Sequence, residues 1–145
     1  MIKTDASYQK AIEKLKDDQN FIAAEKERLK HMGLTHEQIE IAIEPTLSFH
    51  EQLKDEVVYY EKIKRGDFGK LINFEHLGKT LIAYRIFVGM SQQELAAKLG
   101  VSEAQVSRDE RNEYYGATKE RIEAVMNAMN MVTVTTVEIS MASVM

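Results

Sequence analysis

The sequence predicts an all-α protein, in which an N-terminal helical hairpin or three-helix segment precedes a four-helix domain and a short C-terminal β-strand. Three observations lead to this prediction. One proline and seven glycines among 145 residues leave room for long helices. Apolar residues recur at helical spacing through most of the chain. Residues 132–139 are instead rich in β-branched side chains, which favour a strand.

The first helix is predicted to run from residue 4 to about residue 32. Thr4 or Asp5 can cap its first turn. Gly33 is expected to end it, because glycine readily adopts the left-handed conformation of a helix C-cap. The apolar residues of this helix lie close to a heptad spacing, at Tyr8, Ile12, Leu15, Ile22 and Leu29.

A capping box, Thr35 to Gln38, is expected to open a second, short helix. Pro45 should end it, because a proline inside a helix removes a hydrogen bond and clashes with the preceding turn. A third helix would then begin at Pro45 and run to about Arg65. Residues 1–65 either bury their own apolar stripe as a hairpin or present it to a partner or to a second copy.

The stretch from Lys62 to Lys70 contains two glycines and four cations, and residues 66–73 are predicted to be a linker. A domain of residues 74–131 follows, and its first helix ends near Gly89. Residues 132–145 are predicted to form a strand and a tail, with Ser140 to Met145 frayed.

The middle of this domain has the spacing of a helix-turn-helix. Ser91 can cap a short helix that Gly100 ends, Ser102 can cap the next helix, and Thr118 can cap a fourth. Two short helices joined by a three- or four-residue turn form a crossed pair. Gly100 suits such a turn, because glycine tolerates positive φ.

The motif reads Met90-Ser-Gln-Gln-Glu-Leu-Ala-Ala-Lys-Leu-Gly-Val-Ser-Glu-Ala-Gln-Val-Ser-Arg-Asp-Glu-Arg-Asn112. This run resembles the lambda-repressor-like family of helix-turn-helix regulators, also called the Xre or Cro family. The resemblance extends from Leu77 to Met131 and leaves residues 1–70 outside. It implies a transcriptional regulator, typically a repressor, that binds double-stranded DNA with helix 103–110 in the major groove.

The resemblance also implies roles for individual residues. Arg108 can donate two hydrogen bonds to guanine, Glu103 can accept one from cytosine, and Ala104 can contact a thymine methyl group. Ser91 and Gln92 match positions that hold phosphates. The predicted DNA contacts are Ser91, Gln92, Gln93, Ser102, Glu103, Ala104, Gln105, Ser107, Arg108 and Arg111.

Four further positions carry structural expectations. Arg85 and Glu110 match positions that often form an ion pair between the first and third helices of the domain. Asp109 replaces an aromatic or aliphatic residue of the family and is expected to face away from DNA, because phosphates would repel it. Asn112 replaces a glycine and is expected to take left-handed geometry.

The charge balance does not by itself favour nucleic acid. The net charge is −4, and residues 74–131 hold seven Lys and Arg against eight Asp and Glu. DNA affinity must therefore come from where the charges lie. With no cysteine and no run of about 18 apolar residues, a disulfide framework and a membrane span are excluded, and the cytoplasm is the expected compartment.

An enzyme is not expected, and neither a cofactor nor a metal is predicted. The segment His36 to Glu40 only partly resembles a zinc-protease motif, since its last residue is Glu rather than His. The other histidines, His31, His50 and His76, form no motif with it.

Three functions remain open at this point. In the first, the N-terminal helices only stabilise or dimerise a repressor. In the second, the chain is the antitoxin of a toxin–antitoxin pair, and residues 1–65 bind the toxin. In the third, the helix-turn-helix makes protein contacts alone. Pairing of strand 132–139 with a second copy would give a homodimer suited to a palindromic operator.

Overall fold

The computed structural model describes residues 1–144. It divides the chain into two compact units, Met1–Lys70 and Leu71–Met145. None of the helices within the described residues combines the length and the apolar character that a bilayer crossing requires.

The first unit is a hairpin of two long helices, α1 (Asp5–His31) and α2 (His36–Lys64), which pack along each other. Both begin at a threonine cap. The hydroxyl of Thr4 accepts a hydrogen bond from the Ser7 amide. Thr35 and Gln38 form the predicted capping box, since each side chain accepts from the backbone amide of the other residue.

The helix α2 continues through Pro45, so the predicted break at this residue is wrong. The proline removes the hydrogen bond that would otherwise reach the Ile41 carbonyl. Both residues lie on the exposed side of α2, where water can replace that bond, whereas Ile43 and His50 are buried on either side of the proline. Burial against α1 therefore holds a single helix together across a residue that sequence rules treat as a helix breaker.

Tyrosines join the two helices near their far ends. The rings of Tyr8 and Tyr60 stack with 5.0 Å between centroids, and the Tyr8 hydroxyl donates to Glu61 at 2.7 Å. The Tyr60 hydroxyl donates to the carboxylate of Asp5. Burial, together with that carboxylate, raises the pKa of Tyr60 to about 12. These contacts fix the register of the hairpin at the end opposite its loop.

The second unit contains the four predicted helices of the domain and one added turn. Its core is built from residues that are almost completely buried, including Leu81, Leu95, Val106 and Val125. The helices are α3 (Leu77–Phe87), α4 (Gln92–Leu99), α5 (Glu103–Arg111), α6 (Lys119–Ala128) and α7 (Met141–Val144). The helix α4 packs against α5 and α6, and α3 packs against α5.

The predicted C-terminal β-strand is wrong, because residues 132–139 have no regular secondary structure. Their side chains are exposed, up to 95% at Val137, and no strand occurs anywhere in residues 1–144 to pair with them. The β-propensity of these residues reflects packing on a half-buried sheet, which this segment does not have. The tail is also less frayed than predicted, since Met141–Val144 forms one helical turn. Met145, also assigned to the frayed tail, lies outside the described residues.

Candidate nucleic-acid interface

The turn between α4 and α5 is defined by caps on both sides. The Ser91 hydroxyl accepts from the Glu94 amide at the start of α4, and the Ser102 hydroxyl accepts from the Gln105 amide at the start of α5. Gly100 has a φ of 70°, and its amide donates to the carbonyls of the last turn of α4. No heavy atom lies within 4 Å of a Cβ built on Gly100, so this position requires glycine for its backbone angle rather than for space.

The helix α5 has one exposed face and one buried face. Ala104, Arg108 and Arg111 are exposed at helical spacing, whereas Val106 and Glu110 are buried at 1% and 2% exposure. An α-helix with its side chains is about 10–12 Å across, and the major groove of DNA is about 12 Å wide. The exposed face therefore has the dimensions and the side chains to enter a major groove.

A buried ion pair holds α5 against α3. The guanidinium of Arg85 donates to both carboxylate oxygens of Glu110, at 2.6 Å from Nε and 2.8 Å from Nη2. Its Nη1 donates to the Met90 carbonyl at 2.8 Å. Arg85 is 4% exposed, so the pair is shielded from water. The predicted ion pair is confirmed, and its two-point geometry fixes the rotation of α5 about its axis.

The Gln92 side chain makes a contact within the domain that its predicted role does not include. Its side-chain nitrogen donates to Oε1 of Glu110 at 3.0 Å, and the residue is half-buried. The amide therefore links the first residue of α4 to the buried carboxylate of α5. The predicted contact of Gln92 with a phosphate remains a prediction, and the structure gives this side chain a second role within the domain.

Asp109 is held by side chains on two helices. Its carboxylate accepts from Gln105 one turn earlier on α5, at 3.0 Å, and from the guanidinium of Arg121 on α6. Sequence reasoning missed Arg121, because it lies on another helix and matches no motif position. The nearby Tyr114 is buried, and burial, followed by the charges of Glu110 and Asp109, raises its pKa.

The loop after α5 corrects the expectation for Asn112. This residue has a φ of −91°, so its predicted left-handed geometry is wrong. The left-handed residues are the next two, Glu113 and Tyr114, with φ of 52° and 56°. Two successive residues of this kind turn the chain sharply, so that the Tyr114 side chain enters the core and the Glu113 carbonyl approaches Gly78.

The predicted DNA contacts lie on α4, on α5 and on the serines that cap the starts of these two helices. The half-buried ones are Gln92 on α4 and Gln105 and Ser107 on α5, the helix that the buried pair positions. The exposed ones are Ser91, Gln93, Ser102, Glu103, Ala104, Arg108 and Arg111.

The charges of α5 are partly neutralised from within the domain. Arg85 pairs with Glu110, and Arg121 pairs with Asp109. The remaining charged residues of α5 are Glu103, Arg108 and Arg111, which amount to one anion and two cations. The surface that α5 presents is therefore less acidic than the count over residues 74–131 indicates.

Comparison with known proteins gives one finding. Residues 81–137 match a family model described as helix-turn-helix, and the match contains α4, α5 and α6 entirely. No curated protein and no solved structure gives a significant match to the chain.

Proposed function

We propose that this chain is a repressor of the lambda-repressor-like, Xre/Cro-type helix-turn-helix family, which recognises its operator in the major groove, and the helix-turn-helix match over residues 81–137 supports this proposal. The recognition helix in this proposal is α5. Arg108 donates to a guanine, while Glu103 and Ala104 contact neighbouring bases. Ser91 and the exposed amides at the start of α4 bind the phosphate backbone.

The observation that carries the proposal is the pairing of an exposed face with a rigid support. The face carries Arg108 and Arg111, and directly behind it Glu110 is bonded to both Arg85 and Gln92. Base recognition depends on side chains held in a fixed orientation, and a buried two-point ion pair supplies this. A protein bound at a promoter blocks the access of other proteins to that DNA, and we propose this blocking as the means of repression.

Replacing Arg108 by alanine is expected to reduce discrimination between the operator and unrelated DNA by about 1–3 kcal/mol, because a bidentate contact with guanine is lost. The measurement is binding to labelled fragments of the chain's own promoter region, beside scrambled fragments, across a salt series. The wild-type protein should bind one site tightly, and its affinity should fall steeply with salt.

The control is Arg28→Ala, which removes the same charge from α1, where Arg28 pairs with Glu25. It should leave discrimination unchanged. Equal weakening of operator and scrambled DNA by Arg108→Ala would show a phosphate contact instead of base recognition. Absence of any protected site at low salt would contradict the repressor proposal and favour a module for protein contacts alone.

We also propose that the repressor binds as a homodimer. Five apolar side chains between Val132 and Met141 are exposed at 74% or more, which favours association with another protein surface. A two-fold dimer would protect two half-sites about 34 Å apart on a palindromic operator. Analytical ultracentrifugation and the footprint spacing test this, and a monomer that protects a single half-site would contradict it.

A second candidate function is that of an antitoxin, with the first unit binding a toxin. The specific observation is that the hairpin exposes large apolar side chains, of which Phe21, Met32, Ile41 and Phe49 are each more than half exposed. The test is co-expression with the product of any adjacent short reading frame. Phe49→Ser should reduce co-purification, and Phe87→Ser in the second unit should not. Equal recovery with all variants, or no association at all, would contradict this function.

A further inference from the structure

Four polar side chains form a continuous chain of hydrogen bonds on the surface of the second unit. Arg121 on α6 donates to Oδ2 of Asp109, and Oδ1 of Asp109 accepts from the side-chain nitrogen of Gln105 at 3.0 Å. The side-chain oxygen of Gln105 in turn accepts from Nη1 of Arg108 at 3.3 Å. The chain begins outside the recognition helix and ends on the guanidinium that the repressor proposal assigns to a guanine.

The charges at the two ends fix the orientation of the Gln105 amide. Its NH₂ group faces the Asp109 carboxylate, and its oxygen faces the Arg108 guanidinium. The flipped amide would place oxygen against carboxylate and NH₂ against guanidinium, which loses both hydrogen bonds. Because Asp109 holds one end of this amide, the other end offers Arg108 an acceptor in a defined place.

Arg121 controls whether Asp109 can hold the Gln105 amide in this orientation. The Asp109 side chain is 20% exposed and lies on a helix proposed to enter the major groove, where an unpaired carboxylate is repelled by phosphates. The guanidinium of Arg121 neutralises that charge and restricts the carboxylate from the side of α6. Arg121 lies outside the helix-turn-helix pair, and through this contact it orients side chains within that pair.

We infer that Arg121 is a positioning residue for DNA recognition, which acts through Asp109 and Gln105 to orient Arg108. This inference rests on the proposed DNA-binding function and deepens it. The base that Arg108 contacts is then selected jointly by α5 and α6. Arg108 retains further N–H donors for guanine O6 and N7 after bonding to Gln105.

The experiment compares the full-length variants Arg121→Ala, Arg121→Lys and Asp109→Ala, singly and with the Arg121→Ala/Asp109→Ala pair. Lys119→Ala is the control, since this cation of α6 pairs with Glu123, one turn along its own helix. Affinities for operator and scrambled DNA are measured across a salt series. The Gln105 side-chain amide resonances of the DNA-free proteins are recorded in parallel.

Arg121→Ala and Asp109→Ala should each lower the ratio of operator to scrambled affinity by about tenfold, near the lower limit for one base contact. The pair should cost no more than either change alone, because both break the same chain. The salt slope should match that of the wild type, Arg121→Lys should recover part of the ratio, and Gln105 resonances should shift in both alanine variants.

Three results would overturn the inference. If Arg121→Ala weakened operator and scrambled DNA equally and lowered the salt slope by about one, Arg121 would be a phosphate contact. If Asp109→Ala strengthened both kinds of DNA without changing their ratio, Asp109 would act by charge alone. A wild type without preference for any promoter fragment would refute the DNA-binding proposal and the inference with it. The Gln105 resonances would then still report whether Arg121 orients this side chain.

Discussion

Replacing Glu110 by alanine is expected to lower the free energy of unfolding of the second unit by about 3–5 kcal/mol, the usual cost of breaking a buried ion pair on one side. The carboxylate satisfies two donors of Arg85 and one of Gln92. Without it, the Arg85 guanidinium remains almost completely buried without a counter-charge, and the pair can no longer hold α5 against α3.

The measurement is native-state hydrogen exchange of the α3, α4 and α5 amides in the full-length chain, which separates the second unit from the hairpin. Glu103→Ala is the control: it removes an exposed carboxylate from the first turn of the same helix and should cost less than about 1 kcal/mol.

The double variant Arg85→Met/Glu110→Leu should recover much of the loss, because neither charge is then left alone. If Glu110→Ala cost no more than the control, the pair would not stabilise the domain. Glu110 affects DNA binding through the stability of the domain and through the orientation of α5. A partly unfolded domain loses affinity for every DNA sequence, so the expected loss of stability separates the first effect from the second.

The local signals in the sequence predicted the helices well. Five helices begin at a hydroxyl that accepts from an amide three residues later, on Thr4, Thr35, Ser91, Ser102 and Thr118, whereas α3 begins without a side-chain cap. Such bonds involve neighbours in the chain only, so the sequence alone contains the necessary information.

Prediction failed where a distant surface decides the outcome. Helix α2 crosses Pro45 because its apolar residues on both sides bury against α1, an effect that no window of sequence contains. The segment 132–139 has the composition of a strand, but a strand requires a neighbour, and composition does not supply one. In both cases the local preference is real and the tertiary environment overrides it.

The candidate site divides in the same way. Arg85 and Glu110 were predicted as a pair through the family resemblance, whereas the network through Arg121 and Asp109 was not predicted. Asp109 departs from the family pattern at its own position, and its partner lies twelve residues further along the chain. A departure from a pattern marks a position to inspect, but the structure is required to find what compensates for it.

Gly78 is the other feature that sequence reasoning did not single out. Helix propensity predicts that alanine here stabilises the second unit, whereas the structure predicts that it destabilises this unit. It lies in the first turn of α3, where alanine would ordinarily favour the helix by up to about 1 kcal/mol. A Cβ built on Gly78, however, would lie 1.8 Å from the carbonyl oxygen of Glu113 and 2.5 Å from its carbonyl carbon. The obstacle is backbone, so no change of rotamer relieves the clash.

Gly78→Ala is therefore expected to destabilise the second unit by about 3 kcal/mol or more, at the upper end of the cost of overpacking, because the loop after α5 must move. Hydrogen exchange of the α3 and α5 amides measures this loss.

The control is Gly116→Ala, because Gly116 has a φ of +76° but no atom lies within 4 Å of the added Cβ. It should cost about 1 kcal/mol from backbone strain alone. A gain in stability from Gly78→Ala would mean that helix propensity outweighs the contact and that the loop after α5 does not pack against α3 as described. A loss well above that of the control would show that close approach of two backbones requires glycine at this position.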